Sequence, residues 1–202
     1  MRTALEPTGP SWRCNLCGNI FASQLSIHGD TTCPACGNLI WPSLIESREA
    51  QNACKVLLDV GATIGFDTIS KAWKIELTSN SAIDDALEPI LQLDRVCELM
   101  ISNADFGDDH LEALRSLHRL EVLSLSNTDI TNRALSTIQH FLQLQVLDLS
   151  LTAVNERGLI QLNKLSQIWS LDLDSTHVDC LMSEHDWLQN IELLVLSNHK
   201  SS

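Results

Sequence analysis

Leu99, Leu123, Leu147 and Leu171 recur every 24 residues, and each is followed two places on by a second aliphatic residue: Ile101, Leu125, Leu149 and Leu173. Other columns keep the same offset: Leu87, Leu111, Leu135 and Leu159; Ile90, Leu114, Ile138 and Leu162; Val96, Leu120, Leu144 and Ile168. The register reaches back to Ile75 and Leu77. With one residue deleted it continues to Leu194 and Leu196, giving six strand signals between Lys74 and Asn198. A period of roughly 20–29 residues marks units that bury their apolar side only against their neighbours, which predicts a solenoid whose work is surface recognition.

Within a unit the period changes from two to about 3.6, predicting a short strand followed by a helix packed on its inner face. In Val122-Leu-Ser-Leu-Ser126, Leu123 and Leu125 point inward and their neighbours outward; Leu135, Ile138, Phe141 and Leu142 then recur at helical spacing. Thr128-Asp-Ile-Thr131, Thr152-Ala-Val-Asn155 and Thr176-His-Val-Asp179 read as turns that send an aliphatic residue to the core and end on a polar helix cap.

On these residues the chain resembles the leucine-rich repeat family, in the short ribonuclease-inhibitor-like bacterial form L-x-L-x-x-T-x-I-T/D. It departs from the commonest pattern in having Thr128, Thr152 and Thr176 where an asparagine usually sits, although Asn80 retains that residue in the first unit. The resemblance implies an α/β leucine-rich repeat solenoid, with parallel strands on a concave face, helices on the convex face and ligands held by the concave side. It implies no reaction, and no H-E-x-x-H, G-x-S-x-G or phosphate-cradling glycine loop occurs; the expected class is non-enzymatic.

If that geometry holds, the residues flanking each leucine pair face the concave side: Lys74, Glu76 and Thr78; Glu98, Met100 and Ser102; Val122, Ser124 and Ser126; Val146, Asp148 and Ser150; Ser170, Asp172 and Asp174; Leu193, Val195 and Ser197. Adjacent strands lie about 4.8 Å apart, so Asp148 and Asp172 become neighbours with Asp174 on the same face. Glu76, Met100, Val122, Val146, Asp148, Leu151, Asp172 and Asp174 are the candidate partner-binding residues. Stacked carboxylates beside valines suit a Lys/Arg-bearing polypeptide with apolar content. The plainer alternative is that they are simply solvated.

The other end of the chain carries Cys14-Asn-Leu-Cys17-Gly18 and Cys33-Pro-Ala-Cys36-Gly37. Two C-x2-C pairs separated by fifteen residues have the spacing of a four-thiolate metal site. Each pair aims two sulfurs at one ion from one tight turn, and the following glycine is free to take positive φ so that backbone N–H groups approach the thiolates. Disulfides are the competing reading, without a secretory context to favour them. The segment resembles a zinc ribbon or rubredoxin-like module, which implies zinc, with iron and an electron-carrier role as the alternative.

These signals divide the chain into a flexible tail over 1–11, the metal module over 12–42, a helix-plus-strand cap over 43–70 and the repeats over 71–202. The cap reading rests on Ser43-Leu-Ile-Glu46 as a capping box, on Ala50, Ala53, Cys54, Leu57 and Leu58 at helical spacing before Gly61, and on Thr63-Ile-Gly-Phe-Asp67 as a strand. At the far end, Leu193-Leu-Val-Leu196 is an adhesive edge that a second copy or a partner's strand would pair with, unless Trp187, Leu188 and Ile191 close it.

Of a net charge of −13, only −1 falls in residues 1–50 and −12 in 51–202, so phosphate repulsion opposes nucleic-acid binding by the repeats. Residues 1–12 lack the apolar run of a signal peptide and no membrane span is foreseen; the expected location is cytoplasmic. Cys54 and Cys97, at or beside apolar repeat positions, are expected as structural thiols.

Overall fold

The computed structural model describes residues 48–67, 70–79, 81–178, 188 and 191–196, together with the backbone strands at 11–13, 20–22, 31–32 and 39–40. The four short strands form two antiparallel pairs. Strand β1 (Ser11–Arg13) lies against β2 (Ile20–Ala22) with Trp12 opposite Phe21, and β3 (Thr31–Thr32) lies against β4 (Leu39–Ile40).

Helix α1 (Arg48–Asp59) buries Ala50, Ala53, Cys54 and Leu57 as their spacing predicts, whereas Leu58, read into the same stripe, is exposed because it lies about 100° further around the helix from Leu57. It stops at Gly61, whose φ of 86° suits a glycine. Gly61 N–H donates to Leu58 O at 3.0 Å and Ala62 N–H to Leu57 O at 2.8 Å, the paired bonds of a Schellman ending. The chain then enters β5 (Thr63–Asp67), which pairs antiparallel with β6 (Ala72–Leu77); the rings of Phe66 and Trp73 meet across the pair in a tilted arrangement, centroids 4.6 Å apart.

From β6 onward every pairing is parallel. Strands β7 (Val96–Ile101), β8 (Val122–Ser124), β9 (Val146–Asp148), β10 (Ser170–Asp172) and β11 (Leu193–Val195) follow in chain order, giving a seven-stranded sheet with β5 at one end and β11 at the other. Leu99, Leu123, Leu147 and Leu171 sit opposite one another, and Leu171 pairs with Leu194, which absorbs the one-residue deletion. All four are fully buried, in a core that runs from Ala50 to Val178. Burial of each such leucine stabilises by about 1.5–3 kcal/mol.

The helical half of the unit is shorter than the apolar spacing suggests. Helix α2 (Ile83–Leu91) has nine residues and α3 (Asp108–Ala113) six, whereas α4 (Leu135–Ile138) and α5 (Glu156–Leu159) are single turns, α5 running into a 3-10 turn over Ile160–Lys164. Leu142, read from its spacing as part of the helical stripe, is 60% exposed. With α4 ending at Ile138, the inward apolar positions are Leu135, Ile138, Phe141 and Leu144, and Leu142 falls between the last two on the solvent side.

Two features recur once per repeat. Thr128, Thr152 and Thr176 each donate their hydroxyl to the carbonyl three residues back (Leu125, Leu149, Leu173) at 2.6–2.7 Å, so each turn satisfies its own buried carbonyl. Four residues beyond the start of each inner leucine pair the backbone is left-handed, at Asn103, Asn127, Leu151 and Ser175, with φ of 52–57°. Asn127 Nδ2 donates to Asn103 Oδ1 at 2.9 Å. Asparagine suits this conformation; a leucine there costs about 1–2 kcal/mol.

Candidate functional site

Alternation along the strands leaves one face of the sheet open, since β8, β9 and β10 each bury their central leucine and half-expose the residues beside it. Pairing aligns those residues in two rows. The first runs Lys74, Glu98, Val122, Val146, Ser170 and Leu193; the second runs Glu76, Met100, Ser124, Asp148, Asp172 and Val195. These are the rows expected from the sequence.

The rows change character along the array. At the β6 end Lys74 is ion-paired with Glu98, and this hydrogen bond raises the lysine's pKa. At the β9–β10 end neither Asp148 nor Asp172 is in an ion pair among the described residues. Asp148 is instead held by hydroxyl and amide donors: Ser124 Oγ at 2.7 Å, and Ser150 Oγ and N–H at 2.7 and 2.9 Å. Asp172 lies directly across from it and accepts the Asp174 N–H at 2.8 Å. Burial, then the charges of Asp148 and Asp174, push the Asp172 carboxyl above its ordinary range, while the Asp174 N–H pulls the other way.

The structure thus brings Val122, Val146, Asp148, Asp172 and Asp174 into one patch. Glu76 and Met100 share the second row, but Glu76 is three strands from Asp148, about 14 Å at the usual strand spacing. Leu151 does not belong to the patch: it lies past the end of β9 with φ of 57°, its N–H bound to Asp174 O at 2.8 Å, and lines a separate groove between turns. Trp169, half-exposed one residue before β10, was not singled out from the sequence; its carbonyl accepts the Leu193 N–H at 2.9 Å. Its column partners Glu121 and Gln145 are polar, and that mismatch is the signal that marks it.

That groove, of about 480 Å³, runs across three successive turns and is lined by Asn127, Thr128, Asp129, Thr131, Leu151, Thr152, Ala153, Ser175 and His177. The left-handed column behind it was missed because φ leaves no hydrophobic pattern; the asparagines at 103 and 127 were the available sign.

Cys14, Cys17, Cys33 and Cys36 lie outside the described residues, as do the capping box Ser43-Leu-Ile-Glu46, Asn80 and Trp187. The described strands nonetheless bracket them. Cys14 and Cys17 fall in the six residues connecting the paired β1 and β2, and Cys33 and Cys36 in the six connecting the paired β3 and β4. Among the described residues no cluster of three or more His, Cys, Asp or Glu side chains is placed to hold a metal. Cys54 is buried and its thiol is pushed up to about 12; burial also raises Cys97, half-buried with Sγ 3.4 Å from Trp73 O. His110 is built into the fold: its Nδ1 accepts the Gly107 N–H at 3.0 Å and its Nε2 meets Asp84 Oδ1 at 3.1 Å. No described helix is long and apolar enough to cross a membrane.

No family model and no curated protein matches the chain. Similar solved structures include internalin C2 from Listeria monocytogenes, at 18% identity and a TM-score of 0.41 over 54% of this chain. The chain spans 45% of that protein's length. The LRR ectodomain of the receptor kinase SOBIR1 from Arabidopsis thaliana is similar at 14% identity and a TM-score of 0.47, over 75% of this chain and 94% of that one. Another internalin from Listeria monocytogenes, inlF, is similar at 15% identity and 0.38, over 56% and 37%. Strand, turn and helical segment repeating every 24 residues around one leucine-lined core give the described repeats a leucine-rich-repeat-like α/β fold.

Proposed function

We propose that this chain is a non-enzymatic scaffold that binds another polypeptide on the open face of its sheet, and that the segment it binds is basic with some apolar content. The observation that carries the reading is the pairing of Asp148 with Asp172 in a row beside Val122 and Val146, where no lysine or arginine among the described residues neutralises them. A cationic side chain laid along these strands relieves the repulsion between the carboxylates, and the valines supply apolar contact at its edge.

The test uses the full chain and a fluorescein-labelled peptide alternating Lys and Leu, read by anisotropy. The parent chain is expected to bind it, and to bind an alternating Glu–Leu control at least about tenfold more weakly. Asp148→Asn, Asp172→Asn and Asp174→Asn combined are expected to weaken binding of the Lys–Leu peptide and reduce that preference. Equal affinity for the Lys–Leu peptide in parent and triple variant rejects the reading.

Four cysteines on two hairpin connections suit structural zinc, which would close a module too small to fold on its own core. Elemental analysis and an absorption spectrum of protein purified without added metal test this. About one zinc per chain and no colour is the expected result; a red, reversibly bleached protein containing iron makes the module an electron carrier instead.

Pairing of two copies at β11 is a further element of the reading, favoured by Leu193, which is 51% exposed at that end of the sheet. A melting temperature unchanged across about a hundredfold dilution rejects it.

A further inference from the structure

Leu151 is poorly suited to its place on folding grounds. Its backbone is left-handed because the repeat makes it so: Asn103 N–H bonds Ser126 O, Asn127 N–H bonds Ser150 O and Leu151 N–H bonds Asp174 O, the same bond in three successive turns. The side chain is therefore a free choice at a fixed conformation. Asn103 and Asn127 suit that conformation and bond each other, whereas Leu151 is strained, makes no such bond and is 52% exposed. A residue that is locally unfavourable twice over, in strain and in exposure, points to a role outside folding.

What surrounds it is a groove with a charge. Thr128 and Thr152 have their hydroxyls turned to their own backbones, and the Thr131 hydroxyl is taken by Asp108. Asp129 is exposed and makes no side-chain hydrogen bond or ion pair among the described residues. The lining holds no lysine or arginine. An apolar side chain beside a carboxylate that has no protein partner fits a ligand with the opposite arrangement, and a volume of about 480 Å³ takes two or three side chains rather than a folded surface.

We propose that this groove is a second docking surface, separate from the open sheet face, which takes a basic polypeptide segment by packing one of its apolar side chains on Leu151 and pairing a neighbouring cation with Asp129. The proposal shares with the sheet-face reading the basic character of the partner, but depends on none of the sheet-face residues.

The test measures stability and binding on the same variants of the full chain, with the labelled Lys–Leu peptide as probe. Leu151→Asn places in the left-handed position the residue that two neighbouring repeats use there, so it is expected to raise the melting temperature by about 2–4 °C while weakening peptide binding about tenfold. Asp129→Asn is expected to weaken binding about threefold and flatten its salt dependence. Leu151→Ser, matching Ser175, serves as a second variant and is expected to weaken binding likewise. Variants that bind the peptide as the parent does overturn the inference, as does a parent chain that fails to bind it. Loss of binding in the Leu151 variants with normal binding by the Asp148/Asp172/Asp174 variant supports the groove and rejects the sheet face; the reverse pattern does the opposite.

Discussion

Asn132 and Asn155 exchange hydrogen bonds across two successive repeats: Asn132 Nδ2 donates to Asn155 Oδ1 at 2.8 Å, and Asn155 N–H donates to Asn132 Oδ1 at 3.0 Å. Asn155 also caps α5 by accepting the Arg157 N–H at 3.1 Å. Gly158 is packed directly against this pair; a Cβ built on it would lie 2.3 Å from Asn132 Oδ1 and 2.7 Å from Leu135 Cδ1. Gly158→Ala must therefore displace an amide held at both ends. It is expected to lower stability by about 1–3 kcal/mol in chemical denaturation, and an unchanged midpoint would show that the amide yields freely.

The opposition of Asp148 and Asp172 makes a pH prediction. Burial and its like-charged neighbours raise the Asp172 pKa in the folded chain, so the folded state binds the proton more tightly than the unfolded one. Ionised Asp172 is then a destabilising charge above its raised pKa, and stability recovers as pH falls through that value towards the ordinary carboxylate range. Asp172→Asn keeps an oxygen for the Asp174 N–H and removes the charge. It is expected to melt higher than the parent at about pH 7, with the difference shrinking at about pH 4. A difference independent of pH counts against this account.

Thr152 is buried and its hydroxyl serves Leu149 O at 2.6 Å. Thr152→Val preserves the shape and leaves that carbonyl short of a donor, at an expected cost of about 1 kcal/mol in urea denaturation. Thr176→Val, in a less buried turn, is expected to cost less. Equal costs would mean that burial of the turn is not what gives the hydroxyl its value.

Cys54 combines burial with a thiol pKa pushed up to about 12. In the native chain it is expected to resist iodoacetamide at about pH 8, as read by peptide mass spectrometry, and to react only on unfolding. Cys97, partly accessible with its pKa also raised, is expected to react slowly. Prompt labelling of Cys54 would place local opening of α1 well below global unfolding in free energy.

Much of the architecture was legible because it depends on short-range rules. Side chains alternate along a strand whatever surrounds it, so Leu123 and Leu125 had to share one face and Val122 and Ser124 the other. A period of 24 residues then makes the strands stack in register, and the alignment of Asp148 with Asp172 follows. Leu142 was misplaced because helical spacing was extended past the single turn that α4 completes. The antiparallel β5 was readable as a strand but not as a direction, since apolar alternation is the same in both senses.

By itself, then, the sequence determined the repeat, the strand rows, the leucine core and the acidic character of the patch, all of which follow from periodicity and side-chain type. Only the tertiary structure decided that Asn103, Asn127, Leu151 and Ser175 share a left-handed backbone, that the repeated threonines bond their own turns, that Leu151 leaves the sheet face for a groove, and that Gly158 has no room for a methyl group. The physical reason is that these depend on how one turn rests on the next. Backbone φ, hydroxyl direction and the space above a glycine are set by contacts between residues about 24 apart, and a hydrophobic pattern carries no record of them.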